Sequence, residues 1–183
     1  MQQILIIGAG KSTAVLIRYL SEKSSEENFT ICVADKELSL AKRAIKNHEN
    51  CTAISFDIFN SEHREKHIAA VDIVISMLPA RLHIKIAKTC LKLKKNLVTA
   101  SYISKEMKAL ATEVKEAGLI FMNEIGVDPG IDHMSAMQVI DRIRNAGGQM
   151  LMFESFCGGL VAPESDNNLW NYKFTWNPRN VVV

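Results

Sequence analysis

No apolar run in this 183-residue chain is long enough to cross a bilayer, and the amino terminus has neither a charged n-region nor a small-residue cleavage site. The expectation is a cytoplasmic protein without a membrane span. Charge of one sign is lacking too: 22 Lys and Arg against 20 Asp and Glu leave a net charge of +2, scattered along the chain. That balance gives no footprint for nucleic acid or a membrane surface. Cysteine is sparse. Cys32, Cys51, Cys90 and Cys157 lie far apart with no C-x-x-C pair, which argues against disulfides and a metal site and for buried free thiols.

What the chain has is apolar content, 48% of its residues, at a mean hydropathy of +0.03. That is enough for the core of one domain and the start of another. Ile4-Leu5-Ile6-Ile7 carries no charge and breaks into Gly8-Ala9-Gly10 where a helical pattern begins at Lys11 and Ser12. A strand, a tight turn and a helix N-terminus in that order receive a dinucleotide pyrophosphate. Gly8 permits the turn, Gly10 lets backbone approach phosphate oxygens, and the helix offers unpaired N–H groups and the positive end of its dipole. The third glycine of G-x-G-x-x-G is replaced by Thr13, and a P-loop is excluded because Leu5 stands where its first glycine belongs.

Along the chain, strands are expected at 29–34, 52–56, 71–77, 97–100 and 119–122. Helices are expected at 11–22 (apolar stripe Val15, Leu16, Tyr19, Leu20), 38–46, 61–70, 79–94, 105–117 with Ser104 as N-cap, and 131–145. Six strands with helices between them make an α/β doubly wound parallel sheet, Rossmann-like, of order 3-2-1-4-5-6. The dinucleotide-binding domain is expected over 1–148. At 149–183 the texture changes to the truncated start of an α+β substrate and dimerisation domain, with strands at 149–156 and around the alternating Tyr172, Phe174 and Trp176. The final Val181-Val182-Val183, with no polar tail, reads as a truncated end.

Parallel sheets bind ligands outside the carboxyl ends of their strands, and the unusual residues gather there. Gly8 and Gly10 follow the first strand, Asp35 the second, Asp57 the third, Leu78-Pro79 the fourth, Ser101-Tyr102 the fifth and Asn123 to Gly130 the sixth. Asp35 is placed to accept both hydroxyls of an adenosine ribose and to repel a 2′-phosphate, favouring NAD, while the neighbouring Lys36 leaves NADP open. Asp35 also suits a helix cap. His63 and His67 stand one helical turn apart, but Arg64 occupies the place of a zincin glutamate and no third ligand appears, so a solvated face is expected and no metal. His83, near the start of its helix, reads as facing either the cofactor cleft or solvent, with solvent the favoured expectation. Tyr102 and Lys105 are one residue too close for the Tyr/Lys pair of short-chain dehydrogenases, which leaves the Tyr102 hydroxyl to hold a substrate. Asp128-Pro129-Gly130 reads equally as a turn and as a cofactor contact.

The strings 97–102, 123–134, Cys157-Gly158-Gly159-Leu160 with Ala162-Pro163-Glu164, Tyr172-Lys173-Phe174, Trp176 and Pro178-Arg179 closely resemble saccharopine dehydrogenases of the glutamate-forming type, also called saccharopine reductases. The resemblance spans the whole chain. It implies an NAD(P)-dependent oxidation of saccharopine to glutamate and 2-aminoadipate 6-semialdehyde, or the reverse, on a small-molecule substrate in a homodimer. Carried over residue by residue, it implies that Ser12, Asp35, Leu78, Ala100 and Asp128 contact cofactor, beside Gly8, Gly10 and Lys11 of the turn, and that Ser101 and Tyr102 contact saccharopine. On charge, Lys173 and Arg179 read equally as partners for its carboxylates and as members of structural salt bridges. Departures from the family pattern are Thr13, Val161, Asn168 and Asn180. The chain is expected to bind cofactor and turn over little. No general base is assigned, His83 and Tyr102 being candidates only.

Two other classes share this sheet logic. A non-catalytic NAD-binding regulatory module needs no Ser101-Tyr102 floor. A methyltransferase first turn usually carries an acidic residue before the glycines, where this chain has Ile7.

Overall fold

A computed structural model of the chain describes residues 1–156, 158–159 and 161–174. Six strands, β1 (Gln2–Ile7), β2 (Phe29–Asp35), β3 (Cys51–Ser55), β4 (Ile73–Ser76), β5 (Asn96–Thr99) and β6 (Phe121–Met122), form one sheet in the order β3-β2-β1-β4-β5-β6. Every pairing is parallel. Between them run α1 (Ala14–Lys23), α2 (Leu38–Ile45), α3 (Ser61–Ala69), α4 (Ala80–Lys92), α5 (Lys105–Ala109) and α6 (Ala111–Glu116), and α7 (Ile131–Asn145) follows. The expected Rossmann-like order is observed, with its reversal between β1 and β4. Among the described residues, no helix is long and apolar enough to cross a membrane.

The uncharged first strand is explained by burial on both faces. Leu5 and Ile7 pack with Val74, Leu97, and Ile86 and Cys90 of α4, while Ile4 and Ile6 pack with Ile31, Val33, Ile17 of α1 and Ala41 of α2. Side chains alternate across a strand, so a helix layer on each side demands an apolar residue at every position. Each fully buried isoleucine or leucine contributes about 1.5–3 kcal/mol.

Several expectations are corrected. Val15 and Tyr19 are 65% and 58% exposed, and α1 turns Ile17 and Ser21 inward instead. A 3-10 turn at Lys11–Thr13 precedes α1 and shifts its inward face. The helix expected at 105–117 is two, because at Leu110 the backbone N–H reaches the Met107 carbonyl, one residue short of α-helical spacing. Residues 149–156 and 172–174 hold no strand, and among the described residues no strand of the sheet includes them; a lone strand leaves its ladder groups unsatisfied. Thr175, Trp176, Arg179 and Cys157 lie outside the described residues.

The chain divides into compact units at 1–125 and 126–183, earlier than the change of texture at 149. In the second, Gly126 and Gly130 close a tight turn: the Gly126 N–H donates to the Pro129 carbonyl (2.8 Å), and the Gly126 carbonyl accepts from Ile131 (3.0 Å). Gly130 has φ +147°, and a Cβ there would collide with the Gly126 backbone. α7 starts on this turn, which groups it with the second unit.

Gly8 carries the corresponding constraint in the first unit. Its φ is +106°, and a Cβ would stand 3.0 Å from the Met77 carbonyl oxygen, whereas nothing lies within 4 Å of a Cβ at Gly10. Gly8→Ala is expected to destabilise by about 1–3 kcal/mol, and Gly10→Ala to change stability by less than about 0.5 kcal/mol. Urea unfolding of the two variants checks the contrast.

Candidate active site

The register of the parallel strands brings their carboxyl ends into one row: Ile7 stands beside Ala34 and Ser76, and Ser76 beside Thr99. The residues just past those ends, Gly8 to Gly10, Leu78, Ala100 and Ser101, therefore share one rim with Asp35, the last residue of β2. Backbone bonds fix the first turn to its neighbours. The Gly8 N–H donates to the Ala34 carbonyl and the Met77 N–H to the Ile7 carbonyl, each at 2.8 Å.

Asp35 is more than a strand terminus. Its Oδ2 accepts the Ala9 N–H (2.8 Å) and its Oδ1 the Glu37 N–H (2.9 Å), so one carboxylate holds both the glycine turn and the loop into α2. The carboxylate is thereby aimed across the end of β1 and retains further lone pairs for ribose hydroxyls. Lys11 and Ser12 open the 3-10 turn, exposed, with Thr13 N–H bonded to the Gly10 carbonyl at 3.0 Å. Thr13, in the place of the third glycine, is buried at 1%, and its Oγ1 is orphaned among the described residues. Open space at Gly10, a free helix start and an anchored acid fit the pyrophosphate and ribose of a dinucleotide. From Gly10 a groove of about 620 Å³ runs between α1 and α2, edged by Lys11, Arg18, Arg43 and Lys46. Sequence periodicity gave no sign of that basic lining, which arises from two helices.

On the other side of the switch point, His83 corrects the expectation of a solvent-facing ring. It is 4% exposed, its Nδ1 is 2.8 Å from Ser76 Oγ, and its Nε2 is 2.8 Å from Ser101 Oγ. Burial pushes its pKa down to about 4. The signal was present in the sequence: His83, Ile86, Ala87 and Cys90 form the buried stripe of α4, whereas Leu82 stands at its margin. Beyond Ser101 the loop is pinned to the end of β6, since the Glu124 N–H donates to the Ser101 carbonyl (3.2 Å) and Glu124 Oε1 accepts the Ile103 N–H (3.0 Å). Tyr102 is 40% exposed on this loop. Leu78 is half-buried against the core, and Ala100 is half-buried at the end of β5. Ser104 caps α5 through the Met107 N–H (3.2 Å), leaving Lys105 exposed in its first turn.

Asp128 belongs to the second unit, exposed on the Gly126–Gly130 turn, where the carboxylate that receives the Gly130 N–H is that of Asp132 (2.9 Å). Lys173 donates to the Ser165 carbonyl (2.6 Å). His63 and His67 are half-buried rather than solvated: their rings meet edge to face at 4.9 Å beside Phe56. Among the described residues, no cluster of three or more His, Cys, Asp or Glu is arranged to hold a metal. Cys32, Cys51 and Cys90 are free thiols, and burial pushes Cys90 up to about 12.

The depressed His83 value sets a pH dependence. The folded chain keeps the imidazole neutral while the unfolded chain protonates near 6.5, so the unfolded state binds more protons between the two values. Stability is fully present above about pH 6.5 and falls by on the order of 3 kcal/mol as pH drops through about 4. Urea midpoints measured from pH 7 to 4 should show this loss, and His83→Gln should flatten it.

Residues 4–122 match the model of the saccharopine dehydrogenase NADP binding domain, and residues 126–183 that of the saccharopine dehydrogenase C-terminal domain. The chain is 40% identical to the Schizosaccharomyces pombe saccharopine dehydrogenase [NADP(+), L-glutamate-forming] over its whole length, covering 40% of that protein. It is 41% identical to the Arabidopsis thaliana alpha-aminoadipic semialdehyde synthase over 90% of the chain and 16% of the relative. The solved apo saccharopine dehydrogenase (L-Glu forming) from Saccharomyces cerevisiae superposes with a TM-score of 0.84 at 37% identity, over 100% of this chain and 40% of that one. The chain thus spans well under half the length of these relatives, and with residues 4–122 matched to the family's NADP binding domain and 40% identity over its whole length, it belongs to the saccharopine dehydrogenase family.

Proposed function

We propose that this chain forms the dinucleotide-binding part of an oxidoreductase of lysine metabolism that oxidises saccharopine to glutamate and 2-aminoadipate 6-semialdehyde, or runs the reverse. The observation that carries the reading is the shared rim on which the open Gly10 turn, the anchored Asp35 carboxylate and the Ser101 hydroxyl stand, in a chain of this family. A nicotinamide held at this rim would supply a hydride acceptor for the carbon of saccharopine whose amine nitrogen gives up a proton, leaving an imine. Water then splits the resulting imine.

The chain's residues serve binding and orientation in this reading. Gly8 and Gly10, with the N–H groups of Lys11 and Ser12, take the pyrophosphate. Asp35 takes the adenosine ribose hydroxyls, and Leu78, Ala100 and Asp128 complete the cofactor contacts. Ser101 and Tyr102 hold saccharopine, with Lys173 and Arg179 as partners for its carboxylates, and the protein works as a homodimer. The domain roles divide as a dinucleotide-binding part followed by a substrate and dimerisation part.

Cofactor preference follows from charge. Relatives are named for NADP(+), but a 2′-phosphate beside Asp35 would meet its negative charge, with Lys36 next in the chain in opposition. Calorimetric titration of the chain should give NADH at least about tenfold tighter than NADPH, and Asp35→Asn should close most of that gap by removing the charge while keeping an acceptor for the Ala9 N–H. Equal affinities in the unmodified chain would remove Asp35 as the selector. A folded chain that binds neither nucleotide would overturn the proposed function.

A further inference from the structure

The Ser76–His83–Ser101 chain has a direction that hydrogen-bond accounting fixes. Ser76 is fully buried, and His83 Nδ1 is the one acceptor its hydroxyl meets among the described residues. Were Nδ1 protonated, the Ser76 proton would be left buried without an acceptor, which native structures avoid. The Ser76 hydroxyl therefore donates to Nδ1. A neutral imidazole carries one N–H, so Nε2 bears it and donates to Ser101 Oγ. Burial holds the ring neutral through the physiological range. Ser101 is half-buried, and its hydroxyl meets no second hydrogen-bond partner among the described residues. Once its Oγ accepts from His83, its proton has no acceptor within the described protein.

We propose that His83 is a positioning residue which, locked by Ser76 with its proton on Nε2, makes Ser101 a hydrogen-bond donor to a carboxylate oxygen of the ligand at the rim. Resting on the reading that Ser101 meets saccharopine, the inference adds the polarity of that contact and the group that sets it. A hydroxyl polarised in the opposite sense would donate back to His83 and present only lone pairs, which repel a carboxylate. The relay thus selects an anionic acceptor over an ammonium group.

The test has two arms. Nitrogen-15 spectra of histidine-labelled chain, with His83 assigned by loss of its signals in His83→Gln, should show a pyrrole-type Nε2 and a pyridine-type Nδ1 at pH 7, and Ser76→Ala should shift both towards a mixture of tautomers. A pyrrole-type Nδ1, or an imidazolium, overturns the inference whatever the chain binds. In the second arm, saccharopine is titrated into the NADH-loaded chain. Ser101→Ala should weaken it about tenfold, His83→Leu similarly, and His83→Gln less, since its amide N–H can replace Nε2–H. Binding that is unchanged in Ser101→Ala and His83→Leu overturns the ligand contact. Absence of saccharopine binding in the unmodified chain counts against the proposed function, while the spectra decide the relay.

Discussion

The rim depends on a single backbone position. β1 lies between β2 and β4, and directly past its last residue the chain must turn within reach of the Met77 carbonyl. Only a residue without Cβ at positive φ passes there. Because Gly8 makes that turn, the Ala9 N–H arrives at the Asp35 carboxylate, Gly10 is left with open space, and the 3-10 turn of Lys11–Thr13 starts where an anion can approach it. Bulk at Gly8 would disturb all three at once.

The two halves of the rim are built on different economies. On the β2 side an ionised carboxylate is held by two backbone N–H groups and stays partly open, so its charge is both anchored and available. On the β5 side a neutral imidazole is sealed between two serine hydroxyls, which satisfies both ring nitrogens and allows a polar side chain to stand in the buried stripe of α4. In the proposed reading the first half recognises by charge and the second sets the direction of a hydroxyl.

Most of the sheet was legible in the sequence, because strands buried on both faces must be continuously apolar and Gly8-Ala9-Gly10 marks where the first one ends. α7 was read to its terminal residues, Ile131–Asn145. His83 was misread because a lone histidine beside Leu82 looks marginal until Ile86, Ala87 and Cys90 define the buried face. The role of Asp35 as a staple for Ala9 was invisible, since it joins loops distant in the chain. The apolar run at 149–156 and the alternation of Tyr172 and Phe174 suggested strands, but such patterns record only which side chains want burial. A strand also needs a neighbour, and among the described residues there is none.

The central claim is that the strand-end rim of the first unit is the dinucleotide site. Backbone amide shifts of the nitrogen-15 labelled chain, followed as NADH is added, test it most directly. The account predicts saturable changes at Ala9 to Thr13, Asp35 to Glu37, Met77 to Leu78 and Ala100 to Ser101, with the amino ends of the strands unmoved. Saturable binding whose changes are confined to Arg18, Arg43 and Lys46 along the outer groove, or to the opposite edge of the sheet, would contradict it.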